Sequence, residues 1–418
     1  MGNRGRNDRS DRIRSTGSRR KQTGGRRAQQ SAPGGQDSLH GEDPTPEYGG
    51  RAAARRAQSG GRGRAANRRG KRRPRSRFAL LLWALAGVVL VGGVGLGWAY
   101  FTLDGNLKSV DIDGALGSSR PPETDNGSLD ILVLGSDSRQ GDENNKYGKD
   151  VGNARSDTAM IVHIHKGNEK ASVVSIPRDT LVSRPECQGR TKLRPAAERQ
   201  MFNTAFEIGG PVCAVKTAEQ LSGIRMDHYL EVDFSGFKKL VDTLGGVSLT
   251  TNKAIKDPKS HLDLPAGTNQ LNGEQSLGLV RTRKSVGDGS DLGRIQLQQA
   301  FVKALMDQLK DIGVFSNPKK LYDLADTATQ TLTTDSELSS VTSLIAFANS
   351  LTGIDPKNMN MITLPIDYDI KDSDRVVPLK EQSDLLWLAL RADKPIPPGV
   401  TDDSAGNKVD AGKVVVGN

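Results

Sequence analysis

The fold is decided by one stretch, which reads DILVLGSDSR at residues 130–139, RSDTAMIVHIH at 155–165 and ASVVSIPRDT at 171–180. Each of these segments contains an apolar, β-branched run of the kind that forms a buried strand. The three runs are Ile131–Leu134, Met160–Ile164 and Val173–Ile176. The stretch therefore predicts three buried strands.

Charged residues begin where these strands end. Asp137 and Arg139 follow the first strand, Arg178 and Asp179 follow the third, and the segment 155–158 leads into the middle one. In open α/β sheets, ligands bind beyond the carboxyl ends of the strands, so charges at these positions are placed for a site. The alternative is that turns are simply polar, which explains one such turn more readily than three. The three together favour a functional site.

Downstream of this stretch, predicted strands and helices alternate. The strand His228–Val232 is followed by a helix at Phe234–Leu244 and a strand at Val247–Thr250. Helices are also predicted around Pro195–Phe206 and from Pro211 to Gly223. This alternation predicts an α/β fold, an α/β/α sandwich with a central mixed sheet.

A long amphipathic helix is predicted to begin at Asp291 and to reach about Leu309. At 100° per residue, Arg294 and Gln298 lie on the same stripe of this helix as the apolar Phe301. A guanidinium and an amide are costly to bury without partners, so both side chains are predicted to face a polar pocket. The alternative is that both extend to the surface along their apolar stems.

The N-terminal segment, residues 1–77, holds the positive charge of the chain. It carries 22 Lys and Arg against 6 Asp and Glu, whereas residues 78–418 carry 37 against 43. Because the segment is rich in Arg, Gly, Ser and Gln and lacks apolar periodicity, it is predicted to be disordered. Tyr48 is its one interleaved aromatic residue, which makes nucleic acid an unfavoured partner.

The next segment, Phe78–Leu103, carries no charge. As a helix it would be about 39 Å long, enough to cross a hydrocarbon core of about 30 Å. Basic residues crowd its N-terminal side and Asp104 follows it, so the positive-inside rule places residues 1–77 in the cytoplasm and the rest outside. A cleaved signal peptide is the alternative, but its apolar region is shorter and its basic region is not so long. The prediction is a single-pass anchor in the cell membrane.

Beyond the anchor, the sequence predicts a polar connector at 104–129, a globular domain at 130–394 and a flexible tail at 395–418. The only two cysteines, Cys187 and Cys213, both lie on the predicted outer side. An even pair in an oxidising compartment predicts a disulfide. The alternative is two unpaired, buried thiols.

The residues suited to chemistry are carboxylates and arginines. His163 and His165 alternate along a strand, but no Cys/His cluster has zinc spacing and no phosphate-binding glycine loop appears. Asp137 and Asp157 offer oxygen ligands, which suit Mg²⁺, with Mn²⁺ as a second candidate ion. The arginines, whose forks match phosphate oxygens, are Arg139, Arg178, Arg281, Arg283 and Arg294. Together these residues predict a pyrophosphate–Mg²⁺ clamp outside the membrane, where a lipid-linked pyrophosphate would be the donor.

Seven motifs follow one membrane helix in a fixed order. They are LGSDSR, RSDT, SIPRDT, FNTAFEIGG, DHYLEVDFSGFKKLVDTLGGV, LNGEQSLGLVRTRK and DLGRIQLQQAF. This series, which covers about Asp130 to Leu390, resembles the LytR-CpsA-Psr family. The resemblance implies a membrane-anchored phosphotransferase acting in cell wall biogenesis. It would move a glycopolymer, such as teichoic acid or arabinogalactan, from a polyprenyl-pyrophosphate carrier to the 6-hydroxyl of N-acetylmuramic acid in peptidoglycan.

The resemblance also implies roles for individual residues. Asp137 and Asp157 match the metal-binding aspartates, and Arg178 matches the arginine needed for activity. Asp291 is assigned a catalytic role, as a ligand of the acceptor hydroxyl or as a base. The residues that match the pyrophosphate-binding set are Arg281, Arg283, Arg294 and Gln298.

Two positions depart from the family pattern. Met201 stands two residues before Asn203, where a basic residue is frequent. Leu297 stands where an arginine often precedes the Gln-Gln pair. Either departure thins the phosphate contacts or reflects a different polymer.

Two other functions stay open at this level. One is a phosphatase that hydrolyses the lipid pyrophosphate, with water replacing the sugar hydroxyl in the same clamp. The other is a non-enzymatic envelope regulator with a basic cytoplasmic tail that binds nucleic acid. The tail lacks a folded DNA-binding pattern, whereas attraction to anionic lipid head groups needs no more than its charge.

Overall fold

The structure, a computed structural model, describes residues 77–118, 120–137, 155–283, 286, 289–313, 317–408 and 415–416. The predicted disordered segment, apart from Arg77, lies outside the described residues. So does Arg139, one of the predicted phosphate ligands.

Seven strands form the central sheet. From one edge to the other they are β1 (Lys108–Val110), β14 (Leu332–Asp335), β9 (His228–Asp233), β2 (Leu129–Ser136), β3 (Ser156–Ile164), β4 (Ala171–Ile176) and β15 (Met359–Thr363). Strand β3 runs antiparallel to both of its neighbours, and β14 runs antiparallel to β9, while the other pairs are parallel. The predicted α/β fold with a central mixed sheet is confirmed.

The remaining strands form small sheets around this centre. They pair β5 (Leu181–Arg184) with β8 (Ala197–Met201), β6 (Cys187–Gln188) with β7 (Leu193–Arg194), β10 (Val247–Thr251) with β13 (Gly267–Leu271) and β18 (Val415–Val416), β11 (Ile255–Asp257) with β12 (Leu262–Leu264), and β16 (Ile366–Tyr368) with β17 (Val376–Pro378). The predicted strand at 247–250 thus exists as β10 but lies outside the central sheet.

The described residues also form helices. They are α1 (Arg77–Asn106), α2 (Ile112–Leu116), α3 (Phe202–Ser222), α4 (Phe234–Thr243), α5 (Gly273–Arg281), α6 (Asp291–Asp311), α7 (Pro318–Thr331), α8 (Val341–Leu351), α9 (Lys380–Arg391) and α10 (Ala405–Lys408), with a short 3-10 helix at Pro356–Asn358. A capping box at Asn272 and Gln275 starts α5.

Both faces of the sheet are buried. Successive side chains on a strand point to opposite faces, so Ile131 of β2 packs into one hydrophobic core and Leu132 into the other. The larger core includes Phe206 of α3, and the smaller one is flanked by Phe347 of α8. Burial on two sides explains why the central strands read as continuous apolar runs rather than as alternating ones.

Helix α1 has the length and composition of a membrane span. In the part of the chain that the structure describes, it alone meets both conditions, with Ala84–Asn106 as the candidate span. Val91 and Leu96 on this helix are each 75% exposed, as lipid-facing side chains would be. Its last turn joins the domain, because Leu103 is buried and Asn106 Nδ2 donates to Asp326 Oδ1 at 3.4 Å.

The connector predicted at 104–129 is folded rather than merely polar. It supplies the edge strand β1 and two core residues of α2, Ile112 and Leu116. A strand of three residues with only one apolar side chain has no readable alternation, so the sequence did not predict β1.

A buried arginine fixes the same connector to α3. Arg120 Nε donates to Glu219 Oε1 at 2.9 Å, and its Nη2 donates to the same oxygen at 2.5 Å and to the Met226 carbonyl at 2.6 Å. Its Nη1 donates to Asp113. We call Arg120, Asp113, Glu219 and the Met226 carbonyl the Arg120 clamp.

The helix predicted around Pro195–Phe206 is wrong for most of its length. Residues Ala197–Met201 form β8, which pairs with β5, and α3 begins only at Phe202. The sequence AERQM favours a helix locally, but pairing with a neighbouring strand overrides that preference. Within α3, Gly209 and Gly210 leave the helical backbone, with φ of 63° at Gly210, which a glycine adopts without strain.

The predicted disulfide is present in the structure. It joins Cys187 of β6 to Cys213 of α3.

The C-terminal tail, predicted to be flexible from residue 395, packs on the domain as far as residue 408. Val400 and Ala405 are buried there, and Ser404 Oγ accepts a hydrogen bond from the Ile366 amide at 3.1 Å.

Candidate active site

The predicted charged residues meet at one edge of the central sheet. Because β3 is antiparallel to β2 and β4, its first residues lie at the same edge as the last residues of those two strands. Asp157 is the second residue of β3, Asp137 follows β2 and Arg178 follows β4 closely. The N-terminus of α6 brings Asp291 and Arg294 to this edge, one turn apart on the helix.

Arg178 links the strand ends to α6. Its Nη1 donates to Asp157 Oδ1 at 2.7 Å. Its Nε lies 3.6 Å from Asp291 Oδ1 and 3.4 Å from Asp179 Oδ2. The sheet and the helix therefore hold this guanidinium between three carboxylates.

Arg294 is the buried member of the group. Its side chain is 4% exposed, its Nη2 lies 2.8 Å from Asp291 Oδ1, and the same nitrogen donates to the Asp157 carbonyl at 2.9 Å. Arg283 Nε lies 3.6 Å from Asp291 Oδ1. We call Asp157, Arg178, Arg283, Asp291 and Arg294 the charge cluster.

Gln298 lies one turn further along α6. Its Nε2 donates to Thr158 Oγ1 and to the Val280 carbonyl, both at 3.0 Å. Gln298 and Arg294 are both buried against polar partners, so neither extends to the surface. Their polar surroundings agree with the prediction, while a pocket at this place stays a prediction.

Three members of the charge cluster, Asp157, Arg178 and Arg294, are ionised at neutral pH. Burial would raise the pKa of Asp157, but Arg294 and Arg178 hold the pKa of this carboxyl below its usual value. Burial would lower the pKa of Arg178, but Asp291 and Asp157 raise it. For Arg294 burial dominates and lowers its pKa to about 10, which still leaves the guanidinium charged.

Four buried atoms of the cluster make no hydrogen bond, although Asp291 Oδ1 is ion-paired with arginines. They are Arg178 Nε, Arg294 Nε and both carboxylate oxygens of Asp291. Buried polar atoms are nearly always paired, and those left over often mark a place where a ligand binds. Two unpaired guanidinium N–H groups suit an anion with oxygen acceptors, such as a phosphate.

Asp137 lies at the same end of the strands as the cluster. Its amide donates to the Arg155 carbonyl at 2.9 Å, and its Oδ1 accepts from the Arg155 amide at 2.5 Å. Asp137 is thus paired across the strand end with a residue two positions before Asp157.

Arg281 is the last residue of α5. Its guanidinium carbon lies 4.7 Å from the centroid of the Phe234 ring, a cation–π contact.

The sequence assigned no role to two residues at the rim of this site. Asp179 contacts Arg178 directly, and Arg375 Nη1 lies 3.5 Å from Asp179 Oδ1. Asp179 had a signal, since it follows Arg178 in the SIPRDT motif. Arg375 precedes β17 far along the chain and carries no local pattern that points to the site.

The structure also places Leu297 and Met201, the two residues that depart from the family pattern. Leu297 is fully buried in the larger hydrophobic core, so an arginine at this position would need polar partners inside that core. Met201 is the N-cap residue of α3 and provides no side-chain hydrogen bond to the helix.

Comparison with known proteins agrees with this geometry. The LytR_cpsA_psr family model matches residues 99–388. The chain is 34% identical over 257 residues to the probable cell wall biosynthesis protein LcpB of Corynebacterium glutamicum, which covers 60% of this chain and 58% of LcpB. It is 31% identical over 303 residues to the polyisoprenyl-teichoic acid–peptidoglycan teichoic acid transferase TagT of Bacillus subtilis, which covers 70% of this chain and 88% of TagT.

The fold also resembles a solved structure. The LytR-Csp2A-Psr enzyme from Actinomyces oris superposes with a TM-score of 0.51 at 23% identity, over 68% of this chain and 96% of that one. At this identity the likeness shows the fold alone. Because the family model matches well over half of its residues, the chain belongs to the LytR-CpsA-Psr family.

Proposed function

We propose that this protein is a membrane-anchored phosphotransferase. It moves a glycopolymer from a polyprenyl-pyrophosphate carrier to the 6-hydroxyl of N-acetylmuramic acid in peptidoglycan. The relatives support a cell-wall glycopolymer transferase, since LcpB is named for cell wall biosynthesis and TagT for transfer of polyisoprenyl-linked teichoic acid to peptidoglycan. The observation that carries the proposal is the charge cluster with its buried, unpaired N–H groups.

The cluster suits phosphoryl transfer because that chemistry depends on positioning and on charge stabilisation. The acceptor hydroxyl oxygen forms a bond to the phosphorus next to the glycan, and the bond from that phosphorus to the bridging oxygen breaks. Polyprenyl phosphate leaves with the bridging oxygen. Arg178 and Arg294 face the phosphate oxygens, and the Asp291 carboxylate, whose oxygens accept no hydrogen bond, receives the hydroxyl proton.

The carboxylates at the strand ends suit Mg²⁺, or Mn²⁺ in its place. Asp137 and Asp157 offer oxygen donors only, and the arginines keep Asp157 ionised in spite of its burial. These two residues would hold the ion. When bound, it would neutralise negative charge on the pyrophosphate oxygens.

The predicted membrane anchor is consistent with a donor substrate that is itself a membrane lipid. With the basic segment 1–77 in the cytoplasm and the domain outside, α1 holds the charge cluster near the leaflet that carries a lipid-linked pyrophosphate. The exposed apolar side chains of α1 are suited to lipid contact. The positive charge of the segment favours the anionic inner leaflet over a nucleic acid partner.

The test uses the full chain in detergent, incubated with a lipid-pyrophosphate oligosaccharide, Mg²⁺ and peptidoglycan fragments. A transferase yields a glycan–phosphate–muramyl product together with polyprenyl phosphate, and only when acceptor is present. A phosphatase releases glycan phosphate at the same rate with or without acceptor. If neither product forms, the proposed activity is wrong and a regulatory role takes its place.

A further inference from the structure

A second group of ionisable side chains lies at the opposite end of β3 from the charge cluster. His163 and His165 are two residues apart at the end of this strand, so both rings lie on the same face. Their centroids are 4.6 Å apart and the rings meet edge to face. Asp393, just after α9, approaches both rings. We call His163, His165 and Asp393 the histidine cluster.

Three potential ligand atoms converge there. Asp393 Oδ1 lies 3.2 Å from His163 Nε2 and 2.6 Å from His165 Nδ1. Donor atoms around a tetrahedral zinc ion lie roughly 3.3 Å apart, given bonds of about 2.0–2.1 Å. The distance from Asp393 Oδ1 to His163 Nε2 already fits, whereas the distance to His165 Nδ1 would have to lengthen by about 0.7 Å. His165 is partly exposed, so its ring has room to turn.

Groups behind the two histidines orient them as a metal site requires. His163 Nδ1 lies 2.8 Å from Asp130 Oδ1, and His165 Nε2 lies 2.9 Å from Ser172 Oγ. Metal-binding histidines almost always donate their other ring N–H to a carboxylate or another oxygen in this way. In the tautomer with its proton on Nδ1, facing Asp130, His163 presents the lone pair of Nε2 to the Asp393 carboxylate. A proton or a metal cation between these two acceptors would remove their repulsion.

The other histidine–carboxylate group of the described residues is built differently. His228 Nδ1 lies 3.2 Å from Asp335 Oδ2, but that oxygen also accepts the Tyr229 amide at 2.9 Å. Asp335 Oδ1 accepts the amides of Glu337 and Leu338. Backbone donors thus occupy both oxygens of Asp335, which makes this group a structural one and a suitable control.

We propose that His163 Nε2, His165 Nδ1 and Asp393 bind a divalent transition-metal ion of the Zn²⁺ type. Water completes the coordination from the side where His165 and Asp393 are partly exposed. Imidazole nitrogens select Zn²⁺ over Mg²⁺, which prefers oxygen ligands. The ion ties the end of α9 to β3 and lies apart from the charge cluster, so the proposal does not depend on the proposed function.

The test is a Zn²⁺ titration of the metal-stripped full chain in detergent, in competition with a chromophoric chelator. Two variants, Asp393→Asn and His165→Gln, should bind Zn²⁺ at least about tenfold more weakly. Asparagine tolerates the left-handed backbone at position 393, where φ is 49°, so the first variant should keep its fold. The His228→Gln and Asp157→Asn controls should bind like the wild type, which excludes the other histidine group and the charge cluster as the source of the signal.

Two further readouts support the same conclusion. Zn²⁺ should raise the melting temperature of the wild type and leave that of Asp393→Asn unchanged, because a ligand stabilises only the protein that binds it. Co²⁺ in place of Zn²⁺ should give visible absorption bands that are absent in His165→Gln. The proposal is overturned if the wild type takes up no Zn²⁺ at micromolar concentration, or if both variants bind it as the wild type does.

Discussion

Two buried arginines in this protein have different surroundings. The side chains of Arg120 and Arg294 are 2% and 4% exposed. Every guanidinium nitrogen of Arg120 donates to an oxygen of the Arg120 clamp. Arg294 Nε has no hydrogen-bond partner, and neither has either oxygen of the adjacent Asp291. The clamp therefore completes a scaffold, whereas the charge cluster is left incomplete.

The difference teaches how to tell a structural arginine from a functional one. Leaving a buried polar group unpaired costs about 1–3 kcal/mol, so a fold without another constraint would pair it. Among the described residues of the two sites, the clamp leaves one atom unpaired, Glu219 Oε2, and the cluster leaves four. We expect a bound ligand to remove this cost from the cluster.

The largest effect is expected from breaking the clamp. Arg120→Met should lower the free energy of unfolding by about 3–5 kcal/mol, because Glu219 remains buried without its positive partner. Denaturant unfolding of the full chain in detergent measures the loss. The rate of transfer per folded molecule should not change. A stability close to that of the wild type would mean that the clamp is not structural.

Breaking the cluster should affect the rate instead. Arg178→Ala should lose on the order of 10²–10³ in transfer rate, the size expected when one preorganised donor is removed. Its unfolding curve should stay close to that of the wild type. Arg155→Ala is the matched control, because Arg155 lies at the same sheet edge but its side chain is 53% exposed and pairs with Glu207. Equal rates for the two variants would remove Arg178 from the catalytic group.

The metal assignment gives the next largest effect. Asp137→Asn and Asp157→Asn should each raise the Mg²⁺ concentration for half-maximal activity at least about tenfold. Both residues lie at strand ends and contribute little to the cores, so circular dichroism should show an intact fold. Full activity of both variants at low Mg²⁺ contradicts the assignment.

The smallest effect concerns acid stability. Arg294 and Arg178 lower the pKa of Asp157, so its carboxylate adds stability above the ordinary pKa of 3.8, and this contribution disappears as the pH falls through the folded-state value. The stability gap between the wild type and Asp157→Asn should therefore narrow between pH 5 and pH 3. Unfolding curves at the two pH values measure it. A gap that widens on acidification has the wrong sign for a carboxylate stabilised by arginines.

The sequence predicted the elements whose signals are local. The apolar runs that became β2, β3 and β4 are buried on both faces, and such burial leaves a continuous pattern to read. The capping box of α5 is another local signal, since Asn272 and Gln275 are three residues apart. Within the site, Arg294 and Gln298 were predicted because two polar side chains on the apolar stripe of a helix are costly to bury without polar partners.

What the sequence did not predict depends on distant partners. The segment Ala197–Met201 favours a helix on its own and becomes a strand only because β5 pairs with it. Arg120 donates a hydrogen bond to Glu219, which lies 99 residues away in the sequence, and His163 contacts Asp393, which follows α9. No residue pattern near either position announces such a contact.

The short junction between α1 and β1 limits how far the domain can move from a membrane that holds α1. Only Leu107 separates the two elements, and β1 is hydrogen-bonded into the central sheet beside β14. A long Gly/Ser linker would let a domain sweep a wide volume above a bilayer. A one-residue junction allows no such movement. With α1 in the membrane, the distance between the bilayer and the central sheet would therefore be fixed by the fold.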